Sequence, residues 1–293
     1  MQTLVIRFSS LGDIVLAGAV TGALGPVSFL THPQYADLAR ALPGVTSVIR
    51  WGQDPITGPF DTIVDLHGST RSRWIAARTR GKVRTIPRYS MSRRLRVWLK
   101  TQPEIPSVVD RYASAAQVRV APKPWIRVSG SRDALILIPC ARWTAKRWPI
   151  GRYAELARGW DGPIIILGGP DDLSDLRALQ GAIGRDAEMI AEAGFQHTLK
   201  ALGRGALAVG GDTGLLHLCA AAGVPALPIF GPTCSTDGFW CHDGPVLEEA
   251  LSCRPCSRHG ENGCPIGDHL CMEKISVTHV QSAMETMRCR PSC

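Results

Sequence analysis

Residues 210–223, GGDTGLLHLCAAAG, change from glycine-rich to helix-forming within four positions and place an acid, a hydroxyl and an imidazole at the join. The preceding RGALAV (204–209) reads as a short buried strand, and the Leu- and Ala-rich remainder reads as a helix. A turn of this kind presents unpaired backbone N–H groups and the positive end of a helix dipole, which suits a phosphate. The other reading is a helix start capped by Asp212 or Thr213 that binds nothing. Local sequence leaves both open.

Working outward, apolar runs bounded by turn residues recur: TLVIRF (3–8), PVSFLT (26–31), VTSVIRW (45–51) and DTIVDLH (61–67), then ALILIPC (134–140), PIIILGG (163–169), LAVGGD (207–212) and PALPIFG (225–231). Helix-like segments such as DIVLAGAVTGAL, GRYAELARGW and DLSDLRALQGAIG lie between them. Strands alternating with helices predict parallel α/β sheets covered on both faces. The pattern runs once, pauses at VAPKPWIRVSGSRD (120–133), and runs again. Two Rossmann-like α/β domains are therefore expected, residues 1–125 and 126–293, facing across a cleft that holds ligands at the carboxyl ends of the strands. A closing helix is predicted over ISVTHVQSAMETMR, with Val277, Val280, Met284 and Met287 at helical spacing behind a Ser276 cap.

The formal net charge of +8 is unevenly placed. Between Arg71 and Lys100 stand eleven Lys or Arg and no Asp or Glu, with Trp74, Tyr89 and Trp98 interleaved. Such a patch fits an anionic partner, whether nucleic acid, a membrane surface or a phosphorylated glycolipid; a merely solvated basic face is the alternative. No apolar run reaches membrane-spanning length, and the N-terminus lacks the basic region of a secretory leader. The expectation is a cytoplasmic protein.

Three loops carry chemistry. Asp13 follows the first strand and is either a helix cap or a general base in the cleft. After the strand at 134–140, Arg142, Lys146 and Arg147 offer cations for a leaving diphosphate, while Trp143 and Trp148 suit packing. Asp171 and Asp172 follow a glycine pair, where an acid accepts hydrogen bonds from ribose hydroxyls or caps the next helix. His217 lies one turn beyond Thr213, on the same helix face. The absence of any D-x-D pair weakens a metal–diphosphate clamp.

Together, IRFSSLGDIV (6–15), ARWTAKRWPIGRYAEL (141–156), GGDTGLLHLCAAAGVPALPIFGPT (210–233) and CRPCSRHGENGCPIGDHLCM (253–272) resemble the ordered blocks of the bacterial heptosyltransferases, glycosyltransferase family 9. The resemblance implies a GT-B fold, with acceptor on the first domain and sugar nucleotide on the second. It implies inverting, metal-independent transfer of heptose from an ADP-activated donor to the lipopolysaccharide inner core. It gives Asp13 the role of base and Lys146 that of the cation on the donor diphosphate. Asp212, Thr213, Gly214 and His217 become the diphosphate-binding turn, and Asp171 and Asp172 compete for the ribose. DLHGSTRS (65–72) resembles an acceptor-side segment, so Ser9, Ser10, His67 and Arg71 are acceptor-binding candidates. The implied partners are an ADP-sugar and an anionic glycolipid acceptor, with peripheral contact at the inner membrane, no nucleic acid, no cofactor and no catalytic metal. A GT-B transferase using another nucleotide sugar, and a non-catalytic protein binding metal and polyanion, are the alternatives.

Cys253, Cys256, Cys264 and Cys271 are spaced C-x2-C-x7-C-x6-C, with Cys289 and Cys293 beyond. The density suits structural zinc or an iron–sulfur cluster, but the gap of seven is shorter than in usual zinc fingers. Free or partly oxidised thiols are the expectation here.

Overall fold

The structure is a computed structural model that describes residues 2–100, 105–191, 194–239, 244–261 and 263–288. Cys289 and Cys293 lie outside the described residues. The chain forms two compact units, Met1–Tyr89 with Pro106–Arg127 and Ala221–Gly223, and Ser90–Ile105 with Val128–Ala220 and Val224–Cys293.

In the first unit, β1 (Thr3–Ile6), β2 (Val27–Thr31), β3 (Val45–Arg50), β4 (Thr62–Asp65) and β5 (Lys82–Thr85) form a parallel sheet in the order β3-β2-β1-β4-β5. Helices α1 (Leu11–Leu24), α2 (Ala36–Arg40), α3 (Thr70–Arg78) and α5 (Val108–Ala116) accompany it, while α4 (Ser90–Leu99) belongs to the second unit. The basic stretch is therefore divided: α3 and β5 lie in the first unit and α4 in the second. Central strand β1 is wholly buried, and α1 is buried almost all round from Ile14 to Thr21. Each large aliphatic side chain removed from water in this way stabilises the fold by about 1.5–3 kcal/mol.

The second unit repeats the plan with β6 (Ala134–Ile138), β7 (Ile164–Leu167), β8 (Glu188–Ile190), β9 (Gly205–Gly211), β10 (Ala226–Phe230) and β11 (Leu247–Glu248), all parallel, in the order β11-β10-β9-β6-β7-β8. Its helices in chain order after α5 are α6 (Ile150–Arg158), α7 (Leu173–Ile183), α8 (Gly194–Arg204), α9 (Gly214–Ala221), α10 (Leu270–Glu273) and α11 (Val277–Arg288). Ser276 Oγ accepts the His279 N–H at 3.1 Å, and Val277, Val280 and Met284 are buried, so the closing helix forms with its expected cap and face. Among the described residues no helix is long and apolar enough to cross a membrane.

Eight strands coincide with the apolar runs; β5, β8 and β11 do not. All three are edge strands. An edge strand meets neighbours on one side only, so it tolerates a short, polar sequence such as Lys-Val-Arg-Thr of β5 that leaves no buried run to read; β3, the other edge of its sheet, is longer and keeps a readable apolar run.

Strand order reverses once in each sheet, between β1 and β4 and between β6 and β9. Loops leaving the carboxyl ends of two such strands diverge to opposite faces, and the crevice between them is where open α/β sheets bind ligands. Asp13 and His67 follow β1 and β4; Lys146 and Asp212 follow β6 and β9.

Candidate active site

In the first unit, Ser10 caps α1 and Asp13 occupies the third helical position. Asp13 Oδ2 reaches back to accept the Ser10 N–H at 3.1 Å and its Oγ–H at 2.8 Å, and it also receives Arg7 Nη2 at 2.6 Å. The carboxylate thus closes the first turn and still keeps a second oxygen. Burial pushes the Asp13 carboxyl up, but the Arg7 charge and the Ser10 hydrogen bonds outweigh it and hold it below the ordinary carboxylate range. Arg7 is fixed in turn by the Leu66 carbonyl at 2.7 Å and by the face of Tyr112, whose hydroxyl donates to the Asp13 carbonyl. Sequence reading missed Arg7; its signal is a lone cation at the end of an apolar strand.

Asp65, fully buried at the end of β4, accepts the N–H groups of His67 and Gly68 and the Ser72 hydroxyl, which shapes the turn carrying His67. His67 packs edge-on to Phe8, which also contacts the rings of His32 and Trp51. Burial, then the Arg7 charge, lowers the His67 imidazole to about 4, so it is neutral at physiological pH. Its Nδ1 is buried without a hydrogen-bond partner. Ser9 is half-buried, and Arg71 is exposed at the start of α3. The first unit thus gathers Asp13, Ser10, Arg7 and His67 about one strand-end crevice, whereas Arg71 stands on its surface.

In the second unit, Lys146 Nζ donates to Asp212 Oδ2 at 2.7 Å and to the Asp212 carbonyl at 2.9 Å. His217 Nε2 stands 3.6 Å from the other Asp212 oxygen. Burial raises the Asp212 carboxyl, but Lys146 and His217 override it and depress it strongly. An ammonium has three donors, so one N–H of Lys146 remains for an incoming anion. Thr213 precedes α9, its carbonyl accepts the His217 N–H, and its hydroxyl is buried with no partner. A buried orphan hydroxyl beside unpaired helix N–H groups is a ready phosphate site. Glycine is required just before it: a Cβ on Gly211 would stand 2.7 Å from the Lys146 carbonyl oxygen. Gly211 lets the Lys146 loop cross close over β9, while Gly210 makes room for Ile138 of the neighbouring β6.

The remaining predicted residues divide. Asp172 Oδ2 accepts the Gly169 N–H at 3.0 Å and closes the turn before α7, whereas Asp171 is exposed. Arg147 pairs with Asp175 and the Ala141 carbonyl, and Arg142 stacks over Trp143. Trp148 is buried against Tyr153 and donates to the Ile275 carbonyl, a packing role.

Residues 100–259, more than half of the chain, match glycosyltransferase family 9 (heptosyltransferase). The chain belongs to this family. Lipopolysaccharide heptosyltransferase 1 of Pseudomonas aeruginosa is 27% identical over 175 residues, covering 54% of this chain and 48% of that protein, so the match spans about half the length of this relative. Among solved structures, a family 9 glycosyltransferase from Veillonella parvula aligns with a TM-score of 0.74 at 16% identity, covering 98% of this chain and 96% of that one. The E. coli heptosyltransferase WaaC with ADP aligns at 0.71 and 17% identity, covering 98% and 99%. The two parallel units of this chain have the GT-B fold of family 9.

Proposed function

We propose that this protein is a heptosyltransferase of lipopolysaccharide assembly, moving heptose from an ADP-heptose donor to the inner core with inversion and without a metal in the transfer step. The observation that carries the reading is the linked trio of Lys146, Asp212 and His217 beside the unpartnered Thr213 hydroxyl at the start of α9. One donor of Lys146, the Thr213 hydroxyl and the α9 N–H groups supply the charge and hydrogen bonds a departing ADP diphosphate needs. Asp212 holds Lys146 in place, and Asp171 serves the ribose because Asp172 already closes its own turn.

Asp13 is the base. Its carboxylate accepts the proton of the acceptor hydroxyl while that oxygen attacks the anomeric carbon and the bond to the diphosphate breaks. Arg7 and Ser10 keep it ionised and aimed, and His67 with Ser9, Ser10 and Arg71 contacts the acceptor. A single displacement of this kind inverts the anomeric centre. The acceptor is an anionic glycolipid, and the enzyme works in the cytoplasm, peripheral at the inner membrane. Exposed Met91, Leu95, Trp98 and Leu99 on the basic helix α4 support that contact.

Calorimetric titration with ADP, UDP and GDP, followed by a transfer assay with ADP-heptose, tests the reading. Preference for ADP, lost in Lys146→Ala, together with transfer abolished in Asp13→Ala at unchanged ADP affinity, is the expected result. A preference for UDP or GDP removes heptose from the proposal, and full turnover by Asp13→Ala removes the base.

A further inference from the structure

Four neighbouring strands of the first sheet end in the same way. The register pairs Ile6 of β1 with Leu30 of β2 and with Asp65 of β4, and it pairs Leu30 with Ile49 of β3. Two positions beyond each of these residues stands a ring: Trp51, His32, Phe8 and His67, in the sheet order β3-β2-β1-β4. Backbone hydrogen bonds carry the pairing past the strand ends. The Trp51 N–H donates to the Thr31 carbonyl at 2.7 Å, the Leu66 N–H to Ile6 at 3.1 Å and the His32 N–H to Phe8 at 3.3 Å. The four rings therefore share one row at the carboxyl end of the sheet.

Phe8 is the hub of the row. Its ring centre lies 5.1 Å from His67, 5.4 Å from Trp51 and 5.6 Å from His32. Phe8 itself is buried, whereas Trp51, His32 and His67 are half-buried, so part of each reaches solvent. The turn that carries Trp51 is fixed by its neighbour. Arg50 holds Asp54 through its backbone N–H at 2.7 Å, Nε at 2.9 Å and Nη2 at 2.7 Å. Core packing accounts for Phe8. It does not account for an indole held half in water beside two imidazoles.

We propose that this row is a saccharide platform on which a pyranose of the acceptor stacks, with Trp51 as a specificity-determining residue. The C–H face of a pyranose is apolar and lies flat against an aromatic face, while its rim of hydroxyls needs polar partners. Small-molecule sites meet such a ligand with an apolar wall and a few placed polar groups. Both parts are present. Arg7 Nε and His67 Nδ1 are buried without a hydrogen-bond partner. A sugar hydroxyl both donates and accepts, so it suits a guanidinium donor and a neutral imidazole alike. Arg7 also ties the row to the base: it pairs with Asp13 and donates to the Leu66 carbonyl beside His67. A sugar on the row therefore brings a hydroxyl toward the Asp13 carboxylate. The cations of α3 attract any anion, whereas a flat ring row selects a sugar among anions. The occupant named here rests on the transferase reading.

The test is binding of lipopolysaccharide inner-core oligosaccharide, stripped of its acyl chains, to the full-length protein by calorimetry and saturation-transfer NMR. The wild type should bind it, with saturation strongest on ring C–H groups. Trp51→Leu keeps an apolar side chain on the core but removes the flat face, and should weaken binding about five- to tenfold. Trp51→Phe restores a face and should recover most of the affinity, whereas a role in packing alone makes the two variants equal. Both variants should bind ADP as the wild type does, and the difference between them should persist at raised ionic strength, which screens charge but not stacking. Equal affinity in wild type and Trp51→Leu, or a wild type that binds no oligosaccharide, overturns the platform. Because this titration uses no donor, the transferase reading stands or falls separately, on ADP preference and transfer from ADP-heptose.

Discussion

Arg7 Nη2 stands 2.6 Å from Asp13 Oδ2, and both side chains are largely withdrawn from water. The pair decides the pH behaviour of the proposed base. Asp13 has a depressed pKa in the folded state, so its stabilising contribution is present above the unfolded value of about 3.9 and is lost as pH falls through the folded value. It is therefore ionised across the neutral range, and the acid limb of kcat/KM due to Asp13 lies below about pH 4. Arg7→Gln leaves burial unopposed by the cation. We expect the acid limb to rise by about 1–3 pH units and stability at neutral pH to fall by about 3 kcal/mol. Rate profiles and denaturant titration read the two effects. An acid limb that stays where it was would show that Asp13 is not the titrating base.

Thr213 gives a sharper signature than the charged residues around it. Its buried hydroxyl has no partner, so Thr213→Val removes an unsatisfied polar group at nearly constant shape. The apoprotein should be as stable as wild type or more stable by about 1 kcal/mol, whereas ADP affinity should fall about fivefold. Lys146→Ala, by contrast, should weaken ADP at least about tenfold and also destabilise the apoprotein, because Asp212 loses its main counter-charge. Melting curves with and without ADP separate these patterns. A Thr213→Val protein that binds ADP normally would leave the hydroxyl without a role.

Much of this was legible in the chain itself. Buried parallel strands have apolar side chains on both faces, so β1, β6, β7 and β10 announce themselves, and the residues after them mark strand ends. Asp212, Thr213 and His217 could therefore be placed on one turn from local sequence, whereas Lys146 was one of three cations in its loop until the family resemblance singled it out; the structure ties Lys146 and His217 directly to Asp212. Arg7 was not legible because its role depends on a partner brought round by α1. Asp171 and Asp172 look equivalent in sequence; the Gly169 N–H bound by Asp172 and the exposure of Asp171 distinguish them. The four cysteines could be counted, but a gap of seven residues does not reveal that two glycine turns fold it back onto one pocket.

Helix α4 exposes Met91 by 82% and Trp98 by 78%, with Leu95 and Leu99 at the same helical spacing and no acid in the segment. A basic helix with one apolar face lies in the interface of an anionic bilayer. Sedimentation with vesicles containing anionic lipid should therefore bring the protein down at low salt, and raising the ionic strength should release it. Leu95→Ser with Trp98→Ser should reduce binding severalfold at unchanged ADP affinity. Equal binding to vesicles of neutral lipid, or undiminished binding by the double variant, would assign the patch another purpose.

Gly260 tests whether the cysteine loop supports the nucleotide site. Its φ of +92° disfavours any other residue, and an added Cβ would meet Lys146 Cγ at 2.8 Å and Trp143 Cβ at 3.2 Å. Lys146 cannot swing away cheaply, since its ammonium is tied twice to Asp212. Gly260→Ala should therefore displace Lys146 and weaken ADP several-fold. Gly267→Ala is the matched control: its φ of +80° imposes similar backbone strain, about 1–2 kcal/mol, but its Cβ would enter open space. Both variants should lose comparable stability in denaturant titration, and only Gly260→Ala should lose nucleotide affinity in calorimetry. Equal affinities in the two would mean that the loop can shift without moving Lys146, and the coupling between them would fall.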